Sequence, residues 1–136
     1  MKQVPEHVLD HVLQAWNREA AQWASQQLSS LYTPDAVFFG GRPGHSVGAA
    51  GIKSYFDSYH GVIVSAKLKL LEQHLLSLSD DCIMAQGFGE FDFVLAGNKS
   101  TTSILRTTLV ICREGGGWKI RAHHFSTIPT TPPLGD

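Results

Sequence analysis

The chain has 136 residues, 43% hydrophobic and 17% charged, with a formal net charge of −1. That length fits one domain, residues 1–136, and buries roughly two-thirds of its unfolded surface, enough for a core of its own. The balance argues against disorder. The singly scattered Lys and Arg argue against a nucleic-acid partner, and no apolar run approaches the ~20 residues of a membrane helix.

Met1 to Asp10 carries Lys2, Glu6 and Asp10 without an apolar core, unlike a signal peptide, so a cytoplasmic protein with no membrane partner is expected. Val8, Leu9, Val12, Leu13 and Trp16 recur at helical spacing, and Pro5 suits a helix start. Trp23, Ala24, Gln27, Leu28 and Leu31 continue a second helical stripe, which Thr33-Pro34 should end. Ala36 to Phe39 reads as a short strand, and Gly40 to Ser46 as a loop. Ala49, Ile52, Tyr55, Phe56 and Tyr59 predict a third helix, with Gly61 as its C-cap.

Four strands are expected next, over Lys67–Ser77, Cys82–Leu95, Thr101–Arg113 and Trp118–Thr127. Gly87 and Gly89 suggest a bend or bulge in the second of these. Residues 128–136 form a proline-rich tail, expected to be loose. Helices followed by an antiparallel meander make an α+β domain. Cys82 and Cys112 are nearly equidistant from the Gly97-Asn98 turn, so adjacent strands should bring them level, as free thiols.

Strand parity yields the candidate site. Trp118, Ile120, Ala122, His124 and Ser126 share the more apolar face of the last strand, which predicts His124 inside and His123 outside. Arg106, with Thr108 and Val110 on its face, is assigned to the same interior, where it either meets a ligand or pairs with Glu90 of the preceding strand. Phe91, Phe93, Leu105, Leu109 and Ile111 then face outward and need a second cover, a partner subunit or the folded-back tail. Arg106 and His124 would form a polar patch for a small organic carboxylate, walled by Tyr32, Phe56, Phe88 and Trp16. His7 and His11 lie four apart on the first helix, but with no third ligand in reach they read as a solvated face. No metal or cofactor is expected.

Leu31-Tyr32-Thr33-Pro34-Asp35-Ala36-Val37-Phe38, Gly48-Ala49-Ala50-Gly51-Ile52 with Tyr55-Phe56, Arg106-Thr107-Thr108-Leu109-Val110, Gly117-Trp118-Lys119-Ile120 and His123-His124-Phe125-Ser126 follow in that order. Together they resemble the nuclear transport factor 2-like superfamily. Within it the chain is similar to proteins related to the association domain of calcium/calmodulin-dependent kinase II and to the SnoaL-like group. The resemblance implies a cone-shaped, cystatin-like α+β roll, with helices on a curved mixed or antiparallel sheet that encloses a pocket, and usually a homodimer. In the ketosteroid-isomerase branch a carboxylate base follows the first strand, and the matching position here is Gly40, so that base is missing. Where the closing motif often carries two histidines, the earlier position is Ala122. The reading is therefore a homodimeric small-molecule-binding protein. The alternative is a pocket enzyme of isomerase, cyclase or dehydratase type, with His124 and Glu90 as acid/base candidates.

Overall fold

In the computed structural model, which describes residues 4–135, Pro5 opens helix α1 (Pro5–Ala20). Val8, Leu9, Val12, Trp16 and Ala20 line its buried side. Asn17 does not break the helix. Its side chain accepts from the Leu68 N–H at 2.8 Å and donates to the Leu68 carbonyl at 2.9 Å, tying α1 to the strand beneath it. A short α2 (Ser25–Ser29) follows, and the Trp23 indole N–H just before it donates to the Phe56 carbonyl at 2.9 Å.

Strand β1 (Tyr32–Phe39) begins earlier than expected, because the chain there pairs in parallel with the last strand. Pro34 is tolerated within it where the β1 register is irregular, between Tyr32 and Val37. The two-residue β2 (Ser46–Val47) begins on the last residue of the expected loop, and α3 (Gly48–Asp57) follows it. The meander comprises β3 (Ile63–Ser79), β4 (Cys82–Leu95), β5 (Lys99–Glu114) and β6 (Gly117–Thr127). The six strands run in the order β2-β1-β6-β5-β4-β3, and only the β1–β6 pairing is parallel, so the sheet is mixed. Among the described residues no helix is long and apolar enough to cross a membrane.

Two bulges decide which side chains face the helices. In β6 the register steps from Ile120 opposite Ile111 to Ala122 opposite Val110, which leaves Arg121 as an extra residue. One extra residue exchanges the two faces for everything after it. Ile120 is therefore buried as expected, but beyond Arg121 the buried residues are His123 and Phe125, while His124 is exposed. On β4 and β5 the parity is the reverse of that expected. Phe91, Leu109 and Ile111 are buried under the helices, and Arg106 is exposed on the outer face.

The second bulge lies in β3. Leu71 faces Phe88 and His74 faces Gln86, so Glu72 and Gln73 together oppose Gly87. The Gln73 amide N–H donates to the Leu71 and Phe88 carbonyls. A Cβ at Gly87 would stand 2.7 Å from that amide nitrogen, so glycine is required there by close approach rather than by its φ.

Cys82 and Cys112 do lie opposite one another, with their sulfurs 2.9 Å apart as free thiols. Burial, and the neighbouring thiol, push Cys82 up to about 11.

Candidate functional site

Between the helices and the inner sheet face lies a cavity of about 290 Å³. Trp16 of α1, Trp23, Tyr55 and Phe56 of α3 close it on the helical side, and Phe91 and Phe125 form part of its sheet wall. The rings pack edge-to-face: Trp23 on Phe56 at 5.6 Å, Trp16 on Phe91 at 6.3 Å and Phe91 on Phe125 at 4.9 Å between centroids. Its lining contains no carboxylate, histidine, lysine or cysteine. Hydroxyl groups come from Tyr55, Tyr59 and Thr101, and the Tyr55 hydroxyl accepts from the Gly41 N–H at 2.9 Å.

Directly behind this wall sits a buried polar chain. The Trp16 indole N–H donates to the Tyr32 hydroxyl at 3.2 Å, and that hydroxyl lies 2.7 Å from Nδ1 of His123. His123 Nε2 is buried with no hydrogen-bond partner among the described residues. Burial lowers His123 to about 3, with the nearby His124 adding to the effect, so the imidazole is neutral at physiological pH. Burial also raises Tyr32 and Tyr55 well above the ordinary tyrosine value. Tyr32 satisfies both neighbours by accepting from Trp16 and donating to Nδ1. Hydrogen-bond bookkeeping then places the imidazole proton on Nε2. His123 does not line the cavity, while Phe125, whose ring packs edge-on against the imidazole at 4.2 Å, does.

The expected site residues thus fall into three places. Trp16 and Phe56 line the inner cavity, and Tyr32 lies behind its wall. Arg106, His124 and Phe88 come together as anticipated, but on the outer face of the sheet, in a separate groove. The Arg106–Glu90 pair does not form: the register sets Phe88 against Arg106 and Ile104 against Glu90, and Arg106 has no ion pair among the described residues. Neither Glu90 nor His124 reaches the inner cavity. Gly40 leaves no room for a carboxylate, since a Cβ there would fall against the Tyr55 hydroxyl and 2.5 Å from Phe38. Trp23, Phe91 and Phe125 were not anticipated as cavity walls. Phe91 shares its β4 parity with Phe93, Phe125 falls on the inner face of β6 only once the Arg121 bulge is placed, and Trp23, in the turn between α1 and α2, had no strand signal.

A family model for the SnoaL-like domain matches residues 9–131. The chain belongs to the SnoaL-like domain family. Its fold is that of the nuclear transport factor 2-like superfamily, as the solved structures show. The SnoaL-like domain superposes on a Xanthomonas campestris protein named as a calcium/calmodulin-dependent kinase II association domain, with a TM-score of 0.82 and 22% identity, over 90% of this chain and 87% of that one. A nuclear transport factor 2-like protein from Salmonella enterica gives 0.76 and 17%, over 96% of each chain. A hexachlorocyclohexane dehydrochlorinase, type 2, gives 0.70 and 16%, over 95% and 94%. No curated protein matches this chain in sequence.

Proposed function

We propose that this SnoaL-like domain binds a small, neutral, mainly apolar organic molecule in its aromatic cavity. The observation that carries this reading is the lining, which joins rings from helices and sheet with a few hydroxyls and no acid or base. Its size sits near the lower end of the ~300–1,000 Å³ usual for ligand sites, which suits a one-ring compound. That a protein of the same fold is named for acting on hexachlorocyclohexane, an apolar ring, supports the reading by analogy only. The pocket-enzyme alternative draws on His123, a buried imidazole whose Nε2 has no partner among the described residues, but His123 is not among the residues that line the cavity.

The test is an NMR titration with p-cresol that follows the three indole N–H signals. Trp16 and Trp23 line the cavity and Trp118 does not. The Trp16 and Trp23 signals are expected to move saturably while that of Trp118 stays put. Signals that do not saturate, or that move alike for all three, would remove the reading.

A homodimer through the outer sheet face is also proposed, on different apolar residues from those expected. Val47, Val37, Ala122, Val110, Met84 and Leu76 stand opposite one another in a single row across all six strands. Val47, Val37 and Leu76 are 56%, 39% and 52% exposed, an unusual concentration of apolar surface for an open face. Sedimentation at micromolar concentration should find a dimer that Val110→Lys dissociates. A wild-type monomer under those conditions rules the proposal out.

A further inference from the structure

We propose a second ligand site on the opposite face of the sheet from the cavity: a groove that holds an aromatic monocarboxylate against Arg106. The groove has a volume of about 560 Å³ and begins two residues along the strands from the apolar row, at His74, Gln86, Thr108 and His124. It exists because of the β3 bulge. Doubling Glu72 and Gln73 against Gly87 bends the strand and brings Glu72 and His74 to the groove wall, where Gly87 adds no side chain of its own.

The groove's chemistry is specific. Arg106 carries a guanidinium with no hydrogen bond or ion pair among the described residues, so its five donors are available in a planar fork. Such a fork matches the two oxygens of a carboxylate. Ser126 is the cross-strand partner of Arg106 on one side and Phe88 on the other. His124 faces Thr108, one step along, which sets it diagonal to Arg106 at the ~7–8 Å that long side chains span. Its ring is braced by Phe39 at 5.3 Å, and Gln86 is held by its bond to the Thr108 hydroxyl at 2.9 Å. A carboxylate on Arg106 thus finds hydroxyl and imidazole groups beside it and the Phe88 ring as a flat apolar neighbour.

Charge then selects among anions. Glu72 lines the same groove, so a second negative charge on the ligand would meet a carboxylate. That disfavours dicarboxylates and phosphate dianions and favours a single carboxylate carried on a ring.

The experiment is a titration of the full chain with benzoate, followed by backbone amide shifts, alongside benzamide as the neutral analogue of the same shape. Benzoate should shift the amides around Phe88, Arg106 and His124 saturably and leave the Trp16 and Trp23 indole signals in place. Benzamide should not bind. Arg106→Gln should weaken benzoate at least roughly tenfold, and Arg106→Lys less, because an ammonium keeps the charge and loses the fork. Arg106 is exposed and unpaired, so both variants should melt at the wild-type temperature. Equal binding of benzamide, unchanged binding in Arg106→Gln, or no saturable shift at millimolar benzoate would each overturn the site. None of these results bears on p-cresol in the inner cavity, so the two readings stand or fall separately.

Discussion

Acidification from pH 7 to pH 4 is expected to weaken the fold by about 3 kcal/mol through His123 alone. The imidazole is fully buried among Tyr32, Phe38 and Phe125, and burial lowers it from 6.5 to about 3. Between those two values the unfolded chain takes up a proton that the folded chain refuses. Stability attached to this group is therefore intact above pH 6.5, declines as pH falls through that range and levels off below about 3. Asp35, held low first by the Thr33 hydroxyl and also by Arg121, and Asp57, held low first by Lys53, act in the same direction but only at more acidic pH, and both are exposed. Urea unfolding at half-unit steps from pH 4 to 7 measures the slope. His123→Gln keeps a hydrogen-bonding group for Tyr32 without a titrating proton and should flatten most of that slope. Equal slopes in the two proteins would show that the imidazole does not carry the acid sensitivity.

Phe38→Ala should cost about 3–5 kcal/mol, much of the ~5–15 kcal/mol that holds a domain together. Phe38 is 1% exposed and sits at the centre of the aromatic core. Its ring meets Tyr55 at 4.5 Å, His123 at 5.2 Å, Phe125 at 5.4 Å, Tyr32 at 5.7 Å and Phe56 at 5.8 Å. These neighbours come from β1, α3 and β6, so no single element can move to fill the void. Tyr55, Phe56 and Phe125 also line the cavity, and losing their common support should weaken p-cresol binding as well. Phe38→Leu, which keeps most of the volume, should lose less on both counts. A loss for Phe38→Ala below about 1.5 kcal/mol would mean that the core closes over the gap.

Most of the elements are local, and the sequence alone determined them; β2 and the early start of β1, both set by strand pairing, are the exceptions. The α1 stripe, the α3 stripe and the three hairpin turns depend on spacing and turn residues within a few positions, so the succession of three helices, the first strand and the four-strand meander, and the level pairing of Cys82 with Cys112, were legible. Trp16, Tyr32 and Phe56 belong to the core for the same reason.

Which face of the sheet turns inward was decided only in three dimensions. Alternation along β6 was carried from Trp118 to Ser126 without a break, and Arg121 breaks it. A bulge has no glycine or proline signature at that site. It forms because the β5–β6 register and the parallel pairing of Phe38 and Phe39 with His123 and His124 must both be met. One unpaired residue therefore exchanged the two histidines, placing His123 beside Tyr32 in the core and His124 beside Phe39 outside. On β4 and β5 both parities carry apolar residues, so alternation alone does not say which face turns inward; Arg106, Phe88 and His124 do share one groove, but on the outer face. Local periodicity specifies that residues share a face. Only the packing of distant elements specifies whether that face meets the helices or the solvent.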